Sequence, residues 1–161
     1  MAAVLTDHSD IFGGDGVAVG IASSGTRYFG VQNGVLTREG FNITPSGASS
    51  SLFITYFYLD PDNTELLYYA GGSELFRTTT ASTVTSGTWT DMTGVAATTG
   101  STIYSMATSR GAGYGADANR KLYIGTSGGG VYRLNDPQFA ATTNPLISVR
   151  QVLQELPMAS E

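Results

Sequence analysis

The chain has 161 residues, a length that corresponds to one domain. Hydrophobic residues make up 41%, enough for a packed core, whereas charged residues make up 13%, against roughly 25% in typical soluble domains. The net charge of −5 and the lack of a Lys/Arg cluster argue against nucleic acid or an anionic membrane as partner. No apolar stretch approaches the roughly 20 residues of a spanning helix, so membrane insertion is not expected. The absence of cysteine excludes disulfides, thiolate metal sites and cysteine nucleophiles.

A short pattern occurs three times and organises the chain. Each copy is an aromatic strand, a turn containing glycine and a second apolar strand that ends at an arginine; the copies are Arg27–Arg38, Leu67–Arg77 and Leu122–Arg133. The closing arginines are 39 and 56 residues apart, and spacings of this size indicate a repeat of one supersecondary unit. An insertion, Ser109–Arg120, accounts for most of the longer spacing, and we expect it to be a loop at the end of a repeat, where binding elements are common.

Twelve strands in three groups of four are predicted, with turn residues between them. The first group is Val17–Ile21, Arg27–Val31, Gly34–Arg38 and Phe41–Thr44. The second group is Leu52–Leu59, Glu65–Ala70, Glu74–Thr79 and Thr88–Met92. The third group is Thr102–Thr108, Lys121–Thr126, Gly130–Leu134 and Leu146–Val152. No window sustains a period of 3.6 residues, so no long helix is predicted.

The strand Leu52–Leu59 is apolar on both faces, which is typical of a strand buried inside stacked sheets. Four-stranded sheets packed face to face around an axis are propeller blades, so we predict an all-β fold of three blades. The first strand of each blade should lie nearest the axis and the more polar fourth strand outermost. This places Phe53, Phe57, Tyr104 and Met106 near the axis.

These segments resemble the sortilin-like, Asp-box type of β-propeller repeat, found in bacterial surface propellers and in xyloglucan-degrading propeller glycosidases. The residues that carry the resemblance are His8–Gly16, Leu59–Gly72, Ser86–Thr90 and Leu122–Arg133. Of the Asp-box itself, Ser-x-Asp-x-Gly-x-Thr-Trp, only the end Gly87-Thr88-Trp89 is present. The resemblance covers roughly Asp7 to Pro157. We divide the chain into a lead-in at 1–16, a three-bladed segment at 17–157 and a tail at 158–161.

Asp10 and Asp15 are the candidate catalytic carboxylates, because glycoside hydrolysis needs two carboxylates across a cleft and the resemblance includes glycosidases. The alternative, which we favour, is a glycine-rich turn in which Asp15 caps backbone N–H groups. We therefore assign no catalytic residue. Tyr114, in the insertion, and Trp89 are candidate ligand-binding aromatics, since aromatic rings stack on sugars or pack on protein side chains.

Four oxygen-bearing side chains form a candidate calcium cluster: Asp60, Asp62, Asn63 and Glu65. Their spacing does not match the twelve-residue calcium loop, which has a glycine at its sixth position. A hairpin turn is the alternative, and we expect neither a metal nor another cofactor.

We expect a non-catalytic module for structural or ligand binding, part of a larger bacterial surface or secreted protein. The partner would be a protein or a carbohydrate. The competing interpretations are a fragment of a xyloglucanase-like glycosidase and a self-assembling phage or surface-layer component. Propellers close with roughly 4–8 blades, so three blades should either pair with a second copy or join blades of a parent protein. The acidic, Thr- and Gly-rich, Lys-poor composition points to an extracellular or cell-surface location.

Overall fold

The computed structural model describes residues 18–49, 52–96, 99–110 and 119–149. Within these ranges the chain forms twelve β-strands and one short helix, so the fold is all-β, as predicted. The strands are β1 (Ala18–Ile21), β2 (Arg27–Gly30), β3 (Leu36–Arg38), β4 (Phe41–Asn42), β5 (Tyr56–Leu59), β6 (Leu67–Gly71), β7 (Glu74–Thr78), β8 (Thr90–Asp91), β9 (Ile103–Thr108), β10 (Lys121–Thr126), β11 (Val131–Asn135) and β12 (Ile147–Ser148). The helix α1 is Thr93–Ala96.

The strands form three antiparallel sheets of four, in the predicted groups, and strands adjacent in sequence are adjacent in each sheet. We call them the first sheet (β1–β4), the second sheet (β5–β8) and the third sheet (β9–β12). The first strands contact one another in the order β1, β5, β9. This arrangement is consistent with propeller blades, and the described residues do not form a closed propeller.

The three copies of the sequence pattern are equivalent in strand register. In each sheet a tyrosine of the second strand is the cross-strand partner of the closing arginine; the pairs are Tyr28 with Arg38, Tyr68 with Arg77 and Tyr123 with Arg133. Because cross-strand partners point to the same side of a sheet, each tyrosine and arginine share a face. We call this face the leading face, since in the first and second sheets it contacts the next sheet along the chain. The opposite face is the trailing face.

Two apolar cores hold the three sheets together. One lies between the first and second sheets and includes Tyr28, Leu36, Leu67, Tyr69 and Phe76. The other lies between the second and third sheets and includes Tyr68, Leu75, Ile103, Leu122 and Ile124. The second sheet therefore has both faces covered, which explains why all five residues of β6 are buried.

The predicted strand Leu52–Leu59 is only partly correct. The strand β5 begins at Tyr56, and its four residues are half-buried on both faces. Before it the chain leaves the second sheet: Ile54 forms a bridge with Gln32, and the buried Thr55 hydroxyl donates to the Val31 carbonyl. Phe53, expected near the axis in a strand, precedes the strand and is 63% exposed. The backbone groups of residues 54 and 55 thus connect two sheets rather than extend one.

The remaining boundaries differ by a few residues, mostly at the fourth strands. The observed β8 and β12 have two residues each. Residues 88 and 89 of the predicted eighth strand belong to the loop before β8, whereas residues 150–152 of the predicted twelfth strand lie outside the described residues. The β6 strand begins at Leu67 rather than Glu65, whose side chain holds a neighbouring loop. The predicted lead-in and tail lie outside the described residues, as does Val17.

We predict that Phe76→Ala lowers the free energy of unfolding by about 3–5 kcal/mol, the usual cost of truncating a buried phenylalanine. Phe76 is 3% exposed and its ring lies 6.1 Å from the Tyr69 ring. The matched control is Phe41→Ala, since Phe41 is 73% exposed on an outer strand and its loss should cost about 0.5 kcal/mol or less. Urea unfolding of both variants measures the difference, and equal costs would contradict the assigned core.

Candidate functional site

The turn after β5 contains a buried ion pair. Asp60 is fully buried, and its carboxylate accepts hydrogen bonds from the guanidinium of Arg120, which is also buried. The same carboxylate accepts the backbone N–H groups of Asp62 at 2.9 Å and Asn63 at 3.2 Å, an Asx turn that fixes the hairpin. The pair connects the second sheet to the residue that precedes β10 in the third sheet.

A second, exposed ion pair extends this cluster. Arg110 donates to both carboxylate oxygens of Asp62, with Nη2 to Oδ1 at 2.8 Å and Nε to Oδ2 at 3.1 Å. The pair lowers the pKa of the Asp62 carboxyl and raises the pKa of Arg110, chiefly through these hydrogen bonds. Arg110 lies near the beginning of the predicted insertion and Arg120 at its end. Both ends of the insertion are therefore bound to the turn that contains Asp60 and Asp62.

The candidate calcium residues are thus occupied by contacts within the protein. Asp60 and Asp62 pair with arginines, the Asn63 amide oxygen accepts the Glu65 N–H at 3.2 Å, and Glu65 accepts the N–H and hydroxyl of Ser82 at 3.0 Å. Two guanidinium groups beside the carboxylates repel a divalent cation. Within the described ranges no group of three or more His, Asp or Glu side chains could hold a metal ion.

Trp89 connects the first and second sheets. Its indole N–H donates to the Ile43 carbonyl at 2.7 Å, and its ring lies 6.3 Å from the Tyr69 ring beside the first core. This position favours a packing role over the ligand-binding role proposed from the sequence. The other candidate aromatic, Tyr114, and the candidate carboxylates Asp10 and Asp15 lie outside the described residues.

The closing arginines of the first two repeats make an interaction that the sequence pattern alone did not reveal. Arg38 Nη1 donates to the carbonyls of Ala81 at 3.0 Å and Val84 at 2.9 Å, in the long loop before the fourth strand of the next sheet. Arg77 repeats the arrangement one sheet further on. Its Nη1 donates to Pro137 at 2.7 Å and Ala140 at 3.0 Å. In both cases the two acceptors are three residues apart.

Burial changes the acid–base equilibria of these groups. It lowers the pKa of Arg77, because a charged guanidinium loses hydration when it is covered by the third sheet. It also raises the pKa of the partner tyrosines Tyr28 and Tyr68, whose hydroxyls have no hydrogen-bond partner in the described part of the chain. The centres of the leading faces of the first two sheets, at Tyr28 and Tyr68, are therefore shielded from water.

An aromatic cleft opens between the second and third sheets, where their first strands begin. It has a volume of about 360 Å³ and is lined by Leu52, Phe53, Ile54, Tyr56 and Tyr104. Two of these rings, Tyr56 and Tyr104, are 5.6 Å apart and tilted by 57°, so they do not form a flat stacking platform. Three of the lining side chains, Phe53, Ile54 and Tyr104, remain 40–63% exposed. A cleft of this size with an exposed apolar lining is suited to binding an apolar group.

A second, more polar groove lies between the first and second sheets. Its volume is about 210 Å³ and its lining is Asn33, Gly34, Val35, Asn42, Thr44, Ala48, Ser49 and Tyr69. The Tyr69 hydroxyl donates to the Gly34 carbonyl at 2.7 Å, and burial raises the pKa of this tyrosine to about 12. Neither this groove nor the aromatic cleft has an acidic side chain or a histidine among its lining residues.

Most of the acidic side chains that the structure describes accept hydrogen bonds within the chain; the buried Oδ1 of Asp136 has no such partner among the described residues. Those that accept hydrogen bonds within the chain are Glu39, Asp60, Asp62, Glu65, Glu74 and Asp91. Their partners are arginines, serines and backbone N–H groups. None of these side chains lines either cleft.

Comparison with known proteins adds no family: no family model matches the chain, and no curated protein matches it. The described residues contain no helix long and apolar enough to cross a membrane.

We predict that Arg120→Met lowers the free energy of unfolding by about 3–5 kcal/mol, because it leaves the Asp60 carboxylate buried without a counterion. Adding Asp60→Asn should restore a large part of this loss, since the remaining amide is neutral and keeps the Asx-turn acceptor. Urea unfolding of the two single variants and the double variant measures the coupling. Additive losses would contradict a buried, coupled pair.

We also predict that Arg110→Gln raises the pKa of the Asp62 carboxyl toward its ordinary value, as followed by carboxyl NMR. A depressed folded-state pKa contributes stability above the ordinary pKa, and this is lost as pH falls through the folded value. The variant should therefore lose less stability than the wild type on acidification. The control is Arg27→Gln, which should raise the pKa of Glu39 and leave Asp62 unchanged.

Proposed function

We propose that the chain is a non-catalytic module of the sortilin-like, Asp-box β-propeller type, which acts by binding rather than by chemistry. The observation that carries the proposal is the lining of the two clefts described above: aromatic, aliphatic, amide and hydroxyl groups are present, and carboxylates are absent from both linings. Hydrolysis of a glycosidic bond requires two carboxyl groups at a cleft. Most of the described carboxylates instead accept hydrogen bonds from arginines, serines and backbone N–H groups.

The partner that suits these surfaces is a protein rather than a carbohydrate. Tyr56 and Tyr104 are tilted against each other, whereas a sugar ring stacks best on one open aromatic face. The neighbouring lining residues Leu52, Phe53 and Ile54 offer an apolar environment for a protein side chain. The acidic, Lys-poor composition is the support for a place in a larger surface or secreted protein.

Self-assembly is the second candidate function, and it has an observation of its own. Large apolar side chains are exposed on the two sheets at the ends of the stack, for example Val19 and Ile21 in the first sheet and Val131 in the third. Exposed apolar patches of this kind mark interfaces.

We expect the purified chain to show no turnover of xyloglucan or related β-glucans, measured as release of reducing ends, and no retardation in xyloglucan-containing gels. Retardation that Tyr104→Ala abolishes would replace the protein partner with a carbohydrate. Turnover that disappears in Asp15→Asn, with Asp91→Asn as the matched control, would replace the proposal with the glycosidase.

A further inference from the structure

The two interfaces inside the chain are built on the same plan, and the plan predicts a third. In the first sheet the leading-face residues Tyr28 and Leu36 are fully buried under the second sheet. The positions equivalent to them in register are Tyr68 and Leu75 in the second sheet, which are buried under the third sheet. A sheet of this chain therefore uses its leading face to bind another sheet.

The third sheet carries the same leading face, but no sheet formed by the described residues covers it. Its central residues are Ala107, Tyr123, Gly125, Val131 and Arg133, at the register positions that the covered faces use. The residues around them on the same face are Ser105, Lys121, Asn135 and Ile147. Val131, equivalent to the buried Leu36 and Leu75, is 48% exposed. We refer to the five central residues as the open leading face.

Arg133 is the third member of the arginine series. Arg38 and Arg77 each donate to two carbonyls of the following sheet. Arg133 has no acceptor among the described residues, although its Nε atom is buried. A guanidinium that is partly removed from water and lacks an acceptor is costly, and it points to a partner that supplies one.

The complementary surface is at the other end of the stack. The trailing face of the first sheet exposes Val19 and Ile21, which are 63% and 66% accessible. Their register equivalents in the second sheet, Phe57 and Leu59, pack against the first sheet in the first core. The chain thus presents, on its two ends, the two halves of an interface that it forms twice internally.

The internal contacts also give the pairing between the two halves. A β-carbon placed on Gly20 would lie 3.4 Å from the Leu59 Cβ, across the interface of the first and second sheets. At the next interface the equivalent positions are Tyr58 and Thr108, and the Tyr58 hydroxyl lies 3.0 Å from the Thr108 Oγ1. Ala107 is the register equivalent of Gly20 and Tyr58, and Ile21 is the equivalent of Leu59 and Thr108. A third interface of the same kind would therefore pair Ala107 with Ile21 of another molecule.

We propose that the open leading face binds the trailing face of the first sheet in a second copy of this chain, with Ala107 opposite Ile21 and Arg133 directed to the Glu39–Gly40 turn. That turn occupies the position of the carbonyl-bearing loops of the other sheets, and its Glu39 carboxylate is one-third exposed and opposite in charge to Arg133. The contact is head-to-tail, and such contacts close into a ring when the rotation allows. Two copies supply six sheets, within the roughly 4–8 blades of closed propellers.

The first test is a disulfide in a chain that has no cysteine of its own. The variant Ala107→Cys with Ile21→Cys should form a disulfide-linked oligomer under mild oxidation, because the internal equivalent brings the two β-carbons to 3.4 Å, close to the roughly 3.5–4.5 Å of a disulfide. Gly20→Cys with Leu59→Cys is the positive control and should link within one molecule. Ala107→Cys with Phe41→Cys is the negative control, since Phe41 lies on neither end face. Equal linking in the test and the negative control would overturn the proposal.

The second test is the native mass of the whole chain by sedimentation equilibrium at micromolar concentration. We expect a dimer, or a longer head-to-tail oligomer, whose dissociation constant rises roughly tenfold or more with Val131→Glu or Arg133→Met but not with Phe41→Glu. Arg77→Met should lower the urea midpoint of the monomer, whereas Arg133→Met should leave it unchanged. A wild-type chain that stays monomeric, or Val131→Glu with the affinity of Phe41→Glu, would overturn the proposal.

This inference rests on the proposed function, because it names the protein partner as a second copy. The two can fail separately. Turnover of a β-glucan would remove the non-catalytic proposal and leave the interface intact, whereas a monomer without turnover would remove only the second copy as partner.

Discussion

The structure depends on one constraint: the second sheet is apolar on both faces, so it cannot be stable unless another sheet covers each face. Every residue of β6 is accordingly buried between two cores. The fourth strands of the second and third sheets have only two residues each, so each sheet is small. The sheets therefore gain their stability from packing on one another. Each core buries large aromatic and aliphatic groups, and burial of this kind is the main favourable term in folding.

Apolar packing alone does not determine which sheets pack together or in which orientation. The hydrogen bonds of the closing arginines restrict both. Arg38 and Arg77 reach from the end of a third strand into the last loop of the next sheet, where two carbonyls three residues apart accept from one nitrogen. A buried guanidinium is unfavourable without such acceptors, as the lowered pKa of Arg77 indicates. A sheet placed in another orientation would leave the arginine unpaired. The repeat therefore specifies which face meets which loop.

The sequence was sufficient to predict the class, the number of strands and their grouping, because alternation and turn residues are local signals. The Asn33-Gly34 turn is an example: both residues have positive φ, 58° and 79°, as an Asn-Gly hairpin requires. The segment before β5 was not predictable in the same way. Phe53 and Ile54 have the composition of a strand, but the hydrogen bonds of Thr55 and Ile54 lead to another sheet.

The contacts of the candidate site were less accessible to sequence reasoning, since they join residues far apart in the chain. Asp60 and Asp62 were recognised as a carboxylate cluster, but Arg110 and Arg120, 48 and 60 residues away from their partners, determine what the cluster does. A signal was present for the arginines that close the repeats, because the pattern ends at the same residue type each time. The role of these arginines became clear only from the strand register, which places each arginine on the same face as a tyrosine.

The contacts of the charged residues help to explain why the chain has so few of them. With only 13% charged residues, the chain places its described ions where they join separate elements: Arg27 with Glu39 across two strands, Arg120 with Asp60 across two sheets. Apolar burial supplies most of the stabilisation, and the few polar pairs restrict the geometry in which burial can occur. Arg133 differs from the other two closing arginines because it has no hydrogen-bond acceptor among the described residues although its Nε is buried, and partial burial of an unpaired charge costs free energy.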